Sequence, residues 1–192
     1  MKNITNEGIL IIIVAPSGSG KSTLLKRLRT DFPILEDSVS HTTRAAREGE
    51  IEGKDYYFIN KKNFEQMIKD ERFIEWAIVH GDYKGTAKEF VENKLKFGAR
   101  LIFDLDIQGT DSMREVFKNN IVTIFIEPPS IEVLKERLLT RGTETPQSLD
   151  IRIRNAKKEM LRKNDFDYCI INIDLDDAYQ KLKEIVSNIL KD

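Results

Sequence analysis

A glycine-rich loop between a short apolar run and a helix-forming segment constrains this chain most strongly. The apolar run covers residues 8–14, the loop runs from Ala15 to Gly20, and Lys21 and Ser22 open the helix-forming segment. A buried strand, a glycine-rich loop and a helix N-terminus in this order form a cradle of backbone N–H groups for phosphate. Lys21 would reach the outer phosphates, and the Ser22 hydroxyl would bind Mg2+. The alternative is an ordinary glycine and serine turn between a strand and a helix.

The size and charge of the chain limit its classes of partner. Its 192 residues suit one domain with a sizeable core. The net charge of -1, from 31 basic and 32 acidic residues, argues against coating nucleic acid or an anionic membrane. The apolar run before the loop is too short to span a bilayer, and its removal would destroy the loop. We therefore expect no targeting segment, no membrane span and a cytoplasmic location.

Cys169 is the single cysteine, so it cannot form an intramolecular disulfide, which is typical of proteins in a reducing cytosol. It lies in the apolar run Tyr168–Ile171. This run predicts that Cys169 is a small buried core residue.

Strand-like and helix-like segments alternate along much of the chain. Strands are predicted at 9–14, 101–105, 121–126 and 168–173, and helices at 21–30, about 109–117, after an N-cap at Ser130, and at 178–190. This alternation predicts an α/β fold with a mostly parallel sheet flanked by helices on both faces. The regions from about 37 to 94 and from about 140 to 163 interrupt the alternation, and we expect them to lie over a site.

A second polar constellation lies in the first of these interruptions. Arg44 and Arg47 stand three positions apart beside several hydroxyl side chains. Planar guanidinium groups are suited to bidentate capture of a phosphate, and the hydroxyl of Tyr56 could contact the same anion. The alternative is that the two arginines form surface ion pairs with Glu48 or Glu50.

Carboxylates occur at two further strand-like segments. Glu75 lies within Phe73–Ala77, and Asp104 and Asp106 close the apolar segment 101–105. Positions i and i+2 of a strand face the same side, so the two aspartates are predicted to project together at its carboxyl end. Open parallel sheets bind ligands at that end, and two carboxylates there would need a cation or donor nearby. For Glu75, an ordinary exposed strand position remains an alternative.

Taken in order, these motifs resemble the guanylate kinase family. After the phosphate loop, the matching segments are Ser38–Arg47, Gly53–Tyr56, Phe73–Trp76, Gly85–Thr86, Asp104–Gly109, Pro128–Ser130 and Arg141–Glu144. The resemblance extends over about residues 8–190. It implies a P-loop kinase fold with a core at 8–36, 95–139 and 164–190. It also implies a GMP-binding subdomain at 37–94 and a lid at 140–163.

The resemblance implies transfer of the ATP γ-phosphate to GMP, giving ADP and GDP, with Mg2+ as cofactor. It implies small-molecule substrates, no nucleic acid or membrane partner, and a monomer or weak homodimer. The ATP-binding residues it implies are Ala15, Pro16, Ser17, Gly18, Ser19, Gly20, Lys21, Ser22, Thr23 and Arg137. The GMP-binding residues it implies are Ser40, Arg44, Arg47, Glu50, Tyr56, Glu75, Lys84, Thr86 and Asp106. It assigns catalysis to Lys21, Arg44, Arg141 and Arg152, and the metal to Ser22 and Asp104.

Three positions depart from the family pattern. Ala15 replaces the first glycine of the loop, which adds one methyl group. Lys84 stands where the family has a second tyrosine that contacts the GMP phosphate, so the contact is either replaced by a charge or lost. The segment Asn172–Asp174 contains Ile173 where the family has an aspartate, which leaves the contacts on the ATP side open.

Two other functions remain alternatives. Guanylate-kinase-like modules of scaffold proteins bind phosphopeptides without catalysis and share the Arg44 and Arg47 motif, but their phosphate loops are degraded. A kinase of another small phosphate ester, such as a sugar phosphate, would have no use for Glu75 with Asp106. The intact loop and both carboxylates favour guanylate kinase.

Overall fold

The computed structural model describes residues 8–79, 81–140 and 145–191, in which strands and helices alternate as the sequence predicts. The strands in chain order are β1 (Ile9–Val14), β2 (Leu35–Asp37), β3 (Ser40–Thr42), β4 (Tyr56–Phe58), β5 (Phe73–Val79), β6 (Asp82–Ala87), β7 (Arg100–Asp104), β8 (Ile121–Glu127) and β9 (Tyr168–Ile171).

The helices include every one that the sequence predicts. They are α1 (Lys21–Asp31), α2 (Lys61–Lys69), α3 (Lys88–Lys96), α4 (Ile107–Val116), α5 (Ile131–Thr140), α6 (Pro146–Leu161) and α7 (Leu175–Lys191), with a 3-10 turn at Lys163–Asp165. Ser130 caps α5, as predicted, because its hydroxyl accepts a hydrogen bond from the Val133 N–H at 3.3 Å.

Two sheets organise these elements. A five-stranded sheet has the order β2-β7-β1-β8-β9, and a four-stranded sheet has the order β4-β3-β6-β5. The first is mostly parallel and flanked by helices, which confirms the predicted α/β class. All residues of β1 are buried, and β9 runs parallel to β8 with Ile171 opposite Glu127. A strand of a parallel sheet that is covered on both faces has a continuous run of apolar residues. This explains the apolar run at residues 8–14, which contains β1.

The described chain divides into two compact units. The first consists of the described residues within 8–10, Glu36–Phe103 and Gln108–Ile121. The second consists of Ile11–Leu35, Asp104–Ile107 and the described residues from Val122 onward. The finer division into core, GMP-binding subdomain and lid stays a prediction.

The four-stranded sheet of the first unit has its own aromatic core. Phe64 of α2 is fully buried, and its ring centroid lies 4.3 Å from that of Phe73 and 5.0 Å from that of Tyr83. The helix begins at a cap in which the Asn60 side chain accepts a hydrogen bond from the Asn63 N–H at 2.8 Å. This packing fixes β5 and β6, which carry predicted site residues.

In the second unit, the charge-dense segment predicted to be a lid contains the helix α6. A capping box joins Thr145 and Ser148, and Pro146 occupies the first turn. Ala156 of α6 is buried together with Leu134 and Leu138 of α5. These apolar contacts fix α6 against α5 within the unit.

The prediction that Cys169 is buried is wrong. β9 is the edge strand of its sheet, and Cys169 is exposed although its neighbour Ile170 is buried. The thiol contacts Glu127 Oε2 at 3.6 Å. Partial burial of the sulfur and the adjacent Glu127 carboxylate raise the pKa of the Cys169 thiol to about 11. The thiol is therefore protonated at neutral pH.

Within the described ranges, no helix is both long enough and apolar enough to cross a membrane.

Candidate active site

The loop between β1 and α1 requires glycine at two positions. Gly18 and Gly20 adopt φ values of 97° and 90°. A Cβ on Gly18 would lie 3.0 Å from Leu134 Cδ1, and one on Gly20 would lie 2.4 Å from Asn172 Nδ2. The positive φ strains any residue with a side chain at either position, and the space for a Cβ is small as well.

Backbone hydrogen bonds connect this loop to the start of α1. The Ser19 N–H donates to the Pro16 carbonyl at 3.1 Å, and the Thr23 and Leu24 N–H groups donate to the Gly20 carbonyl at 3.1 and 3.2 Å. No side chain caps the first turn of α1. The amide groups and dipole at this end of a helix attract an anion, as the sequence predicts for phosphate.

Lys21, the first residue of α1, forms an ion pair with Asp104 at the end of β7. Ser22 follows Lys21 and is exposed. A hydroxyl and a carboxylate are the hard oxygen donors that Mg2+ accepts, with phosphate and water oxygens completing its shell. The donor set of Ser22 and Asp104 therefore fits Mg2+. In the described part of the chain, no three or more His, Cys, Asp or Glu side chains group to hold a metal by themselves.

The structure corrects the strand geometry predicted for Asp104 and Asp106. β7 ends at Asp104, α4 begins at Ile107, and Asp106 lies in the short connection between them. Both aspartates are exposed, so neither carries the cost of burial that the sequence suggested. The turn into α4, rather than strand alternation, sets the direction of Asp106.

An open cavity of about 560 Å³ adjoins the loop. It is lined by Gly18, Gly20, Thr23, Val133, Glu136, Arg137, Thr140, Asn172 and Leu175. Arg137 Nη2 donates to the Asn172 carbonyl at 3.0 Å, which holds its guanidinium at the wall of the cavity. The volume is in the range of small-ligand sites. Four of the lining residues are among those that the family resemblance assigns to ATP, namely Gly18, Gly20, Thr23 and Arg137.

The segment predicted to be a lid brings one arginine of the predicted catalytic set to the loop. Arg152 Nη1 of α6 donates to Ser17 Oγ at 2.6 Å. The guanidinium of Arg152 thus lies at the phosphate loop itself. Arg141, the other predicted lid arginine, lies outside the described residues.

Sequence reasoning did not select Glu159, which lies on α6 near Lys21 and Asp106. Its burial raises the pKa of its carboxyl group; the Asp106 carboxylate acts in the same direction, and Lys21 opposes the shift. A half-buried carboxylate near the lysine of a phosphate loop is typical of functional sites. The sequence shows only a glutamate in a charge-dense helix, which does not distinguish it from its neighbours.

In the first unit, Glu50 holds the loop that carries the two predicted phosphate-binding arginines. Arg44 Nη2 donates to Glu50 Oε1 at 2.8 Å, and the Arg47 backbone N–H donates to Glu50 Oε2 at 2.7 Å. The hydrogen bond from Arg44, followed by that from Arg47, lowers the pKa of Glu50. The ion pair considered as an alternative for Arg44 is therefore present, and it also fixes the orientation of the guanidinium group.

Strand pairing places four predicted GMP-binding residues in one row across the four-stranded sheet. Tyr56 pairs with Ser40, and Glu75 pairs with Thr86. The pairing of His41 with Gly85, continued by one residue, places Ser40 opposite Thr86. Partners in register lie on the same face of a sheet. Residues far apart in sequence are thus brought together along a line perpendicular to the strands.

Arg44, Tyr56 and Lys84 form what we call the cationic cluster. The guanidinium carbon of Arg44 lies 5.3 Å from the centre of the Tyr56 ring, and Lys84 Nζ lies 5.5 Å from the same centre. Two cations at this range of an aromatic ring interact favourably with its π face. The departure at Lys84 therefore keeps a polar group beside the predicted phosphate-binding residues.

Thr86 and Glu75 form the tightest side-chain contact of the row. Thr86 Oγ1 donates to Glu75 Oε1 at 2.6 Å, and Thr86 is only 2% exposed. A buried hydroxyl donating to a carboxylate fixes that carboxylate in one orientation. The second oxygen of Glu75 can then accept hydrogen bonds from a ligand.

The predicted site residues are distributed between the two units. The described residues predicted to bind ATP or the metal, with Arg152, belong to the second unit. The residues predicted to bind GMP belong to the first unit, except Asp106, which belongs to the second. Their individual roles stay predictions.

A glycine-rich loop from a buried strand to a lysine-led helix, on a mostly parallel sheet, defines a P-loop nucleotide-binding protein. The family model described as guanylate kinase matches residues 7–189. The guanylate kinase of Helicobacter pylori strain J99 is 45% identical over 188 residues, covering 98% of this chain and 89% of that protein. That of Rickettsia felis is 43% identical over 183 residues, covering 95% of both.

A solved structure supports the same assignment. The crystal structure of guanylate kinase from Anaplasma phagocytophilum superposes with a TM-score of 0.65 at 30% identity, covering 96% of this chain and 87% of that one. The chain belongs to the guanylate kinase family.

Proposed function

We propose that this protein transfers the γ-phosphate of ATP to GMP, giving ADP and GDP. The row of Tyr56, Ser40, Thr86 and Glu75 is the observation that carries the proposal. The row places Tyr56, which is proposed to bind the phosphate, in line with Glu75, a carboxylate able to select the base. A site for a nucleoside monophosphate needs both functions. Family membership supports the same reaction.

On the ATP side, the loop amides and Lys21 bind the β- and γ-phosphates, and Arg137 packs against adenine beside the cavity. Ser22, with Asp104 nearby, would hold Mg2+. The metal supplies charge neutralisation for the polyphosphate when it is bound. The ion pair with Asp104 holds the Lys21 ammonium group beside the residues proposed to hold the metal.

On the GMP side, Arg44, Arg47, Tyr56 and Lys84 bind the phosphate. Ser40 and Thr86 add hydroxyl contacts at the base edge, and Glu75 and Asp106 accept hydrogen bonds from the guanine N1–H and 2-amino groups. Adenine lacks both donors, so it would leave the carboxylates unpaired. This difference in hydrogen bonding accounts for selection of GMP over AMP.

The chemical step needs no general base, because the phosphate oxygen of GMP is already a nucleophile. Arg141 and Arg152 of the lid neutralise the charge that builds on the transferred phosphoryl group. Catalysis then consists of positioning the two nucleotides, neutralising charge and excluding water. We further propose that the reaction takes place in the cytoplasm and that the protein is a monomer or a weak homodimer.

A phosphopeptide-binding module is not favoured. Gly18, Gly20, Lys21 and Ser22 retain both the residue types and the geometry of a phosphate loop. A kinase of a sugar phosphate is also less suitable, because it would leave the Thr86–Glu75 pair without a ligand group to contact.

The test is an ADP-release assay on the purified protein with ATP, Mg2+ and a panel of nucleoside monophosphates. We expect rapid release of ADP with GMP, much slower release with AMP, and loss of activity when EDTA removes the metal. Absence of ADP release with GMP would contradict the proposal. Retained GMP binding without turnover would instead favour the binding module.

A further inference from the structure

Asn172 is a buried polar residue that connects the end of β9 to the phosphate loop. It follows β9 directly and is only 2% exposed. Asn172 Nδ2 donates to the Ser19 carbonyl at 2.7 Å. The carbonyl oxygen can only accept, so this bond also establishes which atom of the Asn172 amide is the nitrogen.

The hydrogen bond controls the peptide unit between Ser19 and Gly20. A trans peptide is planar, and its C=O and N–H groups point in opposite directions. Holding the Ser19 carbonyl toward Asn172 therefore directs the Gly20 N–H away from Asn172. Asn172 Nδ2 also lies 2.4 Å from the position that a Cβ of Gly20 would occupy, so the amide packs directly against the glycine.

Asn172 is itself held in place through its backbone. Its N–H donates to the Glu127 carbonyl at 2.8 Å, which extends the pairing between β8 and β9. Its carbonyl accepts from Arg137 Nη2 at 3.0 Å. Because both backbone groups of Asn172 are held, its side chain has a fixed position relative to the sheet. The hydrogen bond to Ser19 therefore fixes the loop relative to the sheet as well.

We propose that Asn172 is a positioning residue that sets the Gly20 amide in the direction in which it binds the ATP phosphates. The proposal rests on the proposed function of the loop. A purely structural role of Asn172 would affect the binding of ATP and GMP alike, whereas the proposed role affects the binding of ATP alone. The other amide atom, Asn172 Oδ1, is buried and has no hydrogen-bond partner among the described residues. The side chain therefore acts on the loop through Nδ2 and its hydrogen bond to the Ser19 carbonyl.

Asn172→Asp is the most direct variant, because it preserves shape but replaces the donor by an acceptor that repels the Ser19 carbonyl. Asn172→Ala removes the donor without burying a charge, and it decides the question if the Asp variant fails to fold. The matched control is Asn120→Asp. Asn120 Nδ2 also donates to a backbone carbonyl, that of Gly8, at 3.1 Å, and Gly8 precedes β1.

The experiment measures the dissociation constants of Mg2+–ATP and of GMP separately by calorimetry, with thermal unfolding of each variant. We expect Asn172→Ala to weaken ATP binding by about tenfold, the value of one hydrogen bond to a charged ligand held in place. GMP binding should change less than about twofold, a difference below 0.5 kcal/mol. Asn120→Asp should leave both constants unchanged even where it lowers the unfolding temperature.

Equal ATP affinity in the wild type and Asn172→Ala would overturn the inference, as would an equal loss of affinity for ATP and GMP. Failure of the wild type to bind ATP would overturn the proposed function of the loop instead. The two failures are therefore distinguishable in one set of titrations.

Discussion

The ammonium group of Lys84 lies 5.5 Å from the centre of the Tyr56 ring, the same ring that the Arg44 guanidinium approaches to 5.3 Å. Lys84 lies on β6, opposite Thr42 of β3. It stands two positions before Thr86 on the same strand, so the side chains of Lys84 and Thr86 share one face of β6. Two members of the cationic cluster, Tyr56 and Lys84, are thus carried on the same sheet as the Glu75–Thr86 pair.

Lys84→Met is predicted to raise the KM for GMP about tenfold, because it removes one charged contact to the phosphate. The effect of salt on that KM should become smaller, since fewer charges remain to be screened. Lys84→Arg should keep most of the affinity. Initial rates at varied GMP and ionic strength test both statements, with Lys96→Met in the last turn of α3 as control. An unchanged KM and salt dependence in Lys84→Met would place the ammonium away from the phosphate.

The Thr86 hydroxyl is predicted to support guanine selection by orienting Glu75. Thr86→Val removes the 2.6 Å hydrogen bond but keeps the size of the side chain. We expect the ratio of kcat/KM for GMP over AMP to fall by roughly 10-fold, with a similar or larger fall in Glu75→Gln. Both variants are assayed with the two monophosphates under identical conditions.

Thr123→Val is the matched control for this substitution. Thr123 is also a fully buried threonine, and its Oγ1 donates to Asp167 Oδ2 at 2.8 Å. The loss of this hydrogen bond should cost about 1–3 kcal/mol of stability without changing the choice of monophosphate. If Thr86→Val affects only stability, as Thr123→Val does, Thr86 does not orient the base-selecting carboxylate.

Lys21→Met is predicted to lower kcat by roughly 10²-fold or more, because it removes the cation that faces the developing charge. GMP binding should persist, since the predicted GMP-binding residues other than Asp106 belong to the other unit. Turnover and GMP calorimetry measure the two effects, and Lys26→Met on the exposed side of α1 serves as control. Parallel loss of turnover and GMP binding would argue against this role of Lys21.

The parts of the fold that local sequence determines were predicted correctly. The apolar run of β1, the glycines of the loop and the start of α1 are contiguous, so their order alone indicates their geometry. The cap at Ser130 is equally local. The error at Asp106 arose because the boundary between a strand and the following helix moved by only two residues, which the alternation of side chains cannot reveal.

Other features depend on which strands become neighbours. The sequence does not state that β9 forms an edge, so the exposure of Cys169 was not predictable from its apolar neighbours. The row that joins Tyr56 to Glu75 likewise follows from the register of β4, β3, β6 and β5. Register between strands separated by loops is a tertiary property, so the sequence predicted the residues but not their contacts.

His41 is predicted to make the stability of the protein decrease below about pH 6.5. Burial of its ring, followed by the nearby charge of Arg72, lowers its pKa in the folded state, with Glu52 opposing. A lowered pKa means that the unfolded chain takes up the proton first, so stability is complete above the unfolded value and is lost as pH falls toward the folded one. His41→Phe retains stacking against Tyr57, whose ring centroid lies 4.8 Å away, but cannot titrate. Urea unfolding at pH 8 and pH 5 should therefore show a smaller loss in His41→Phe than in the wild type, and equal losses would remove His41 as the source.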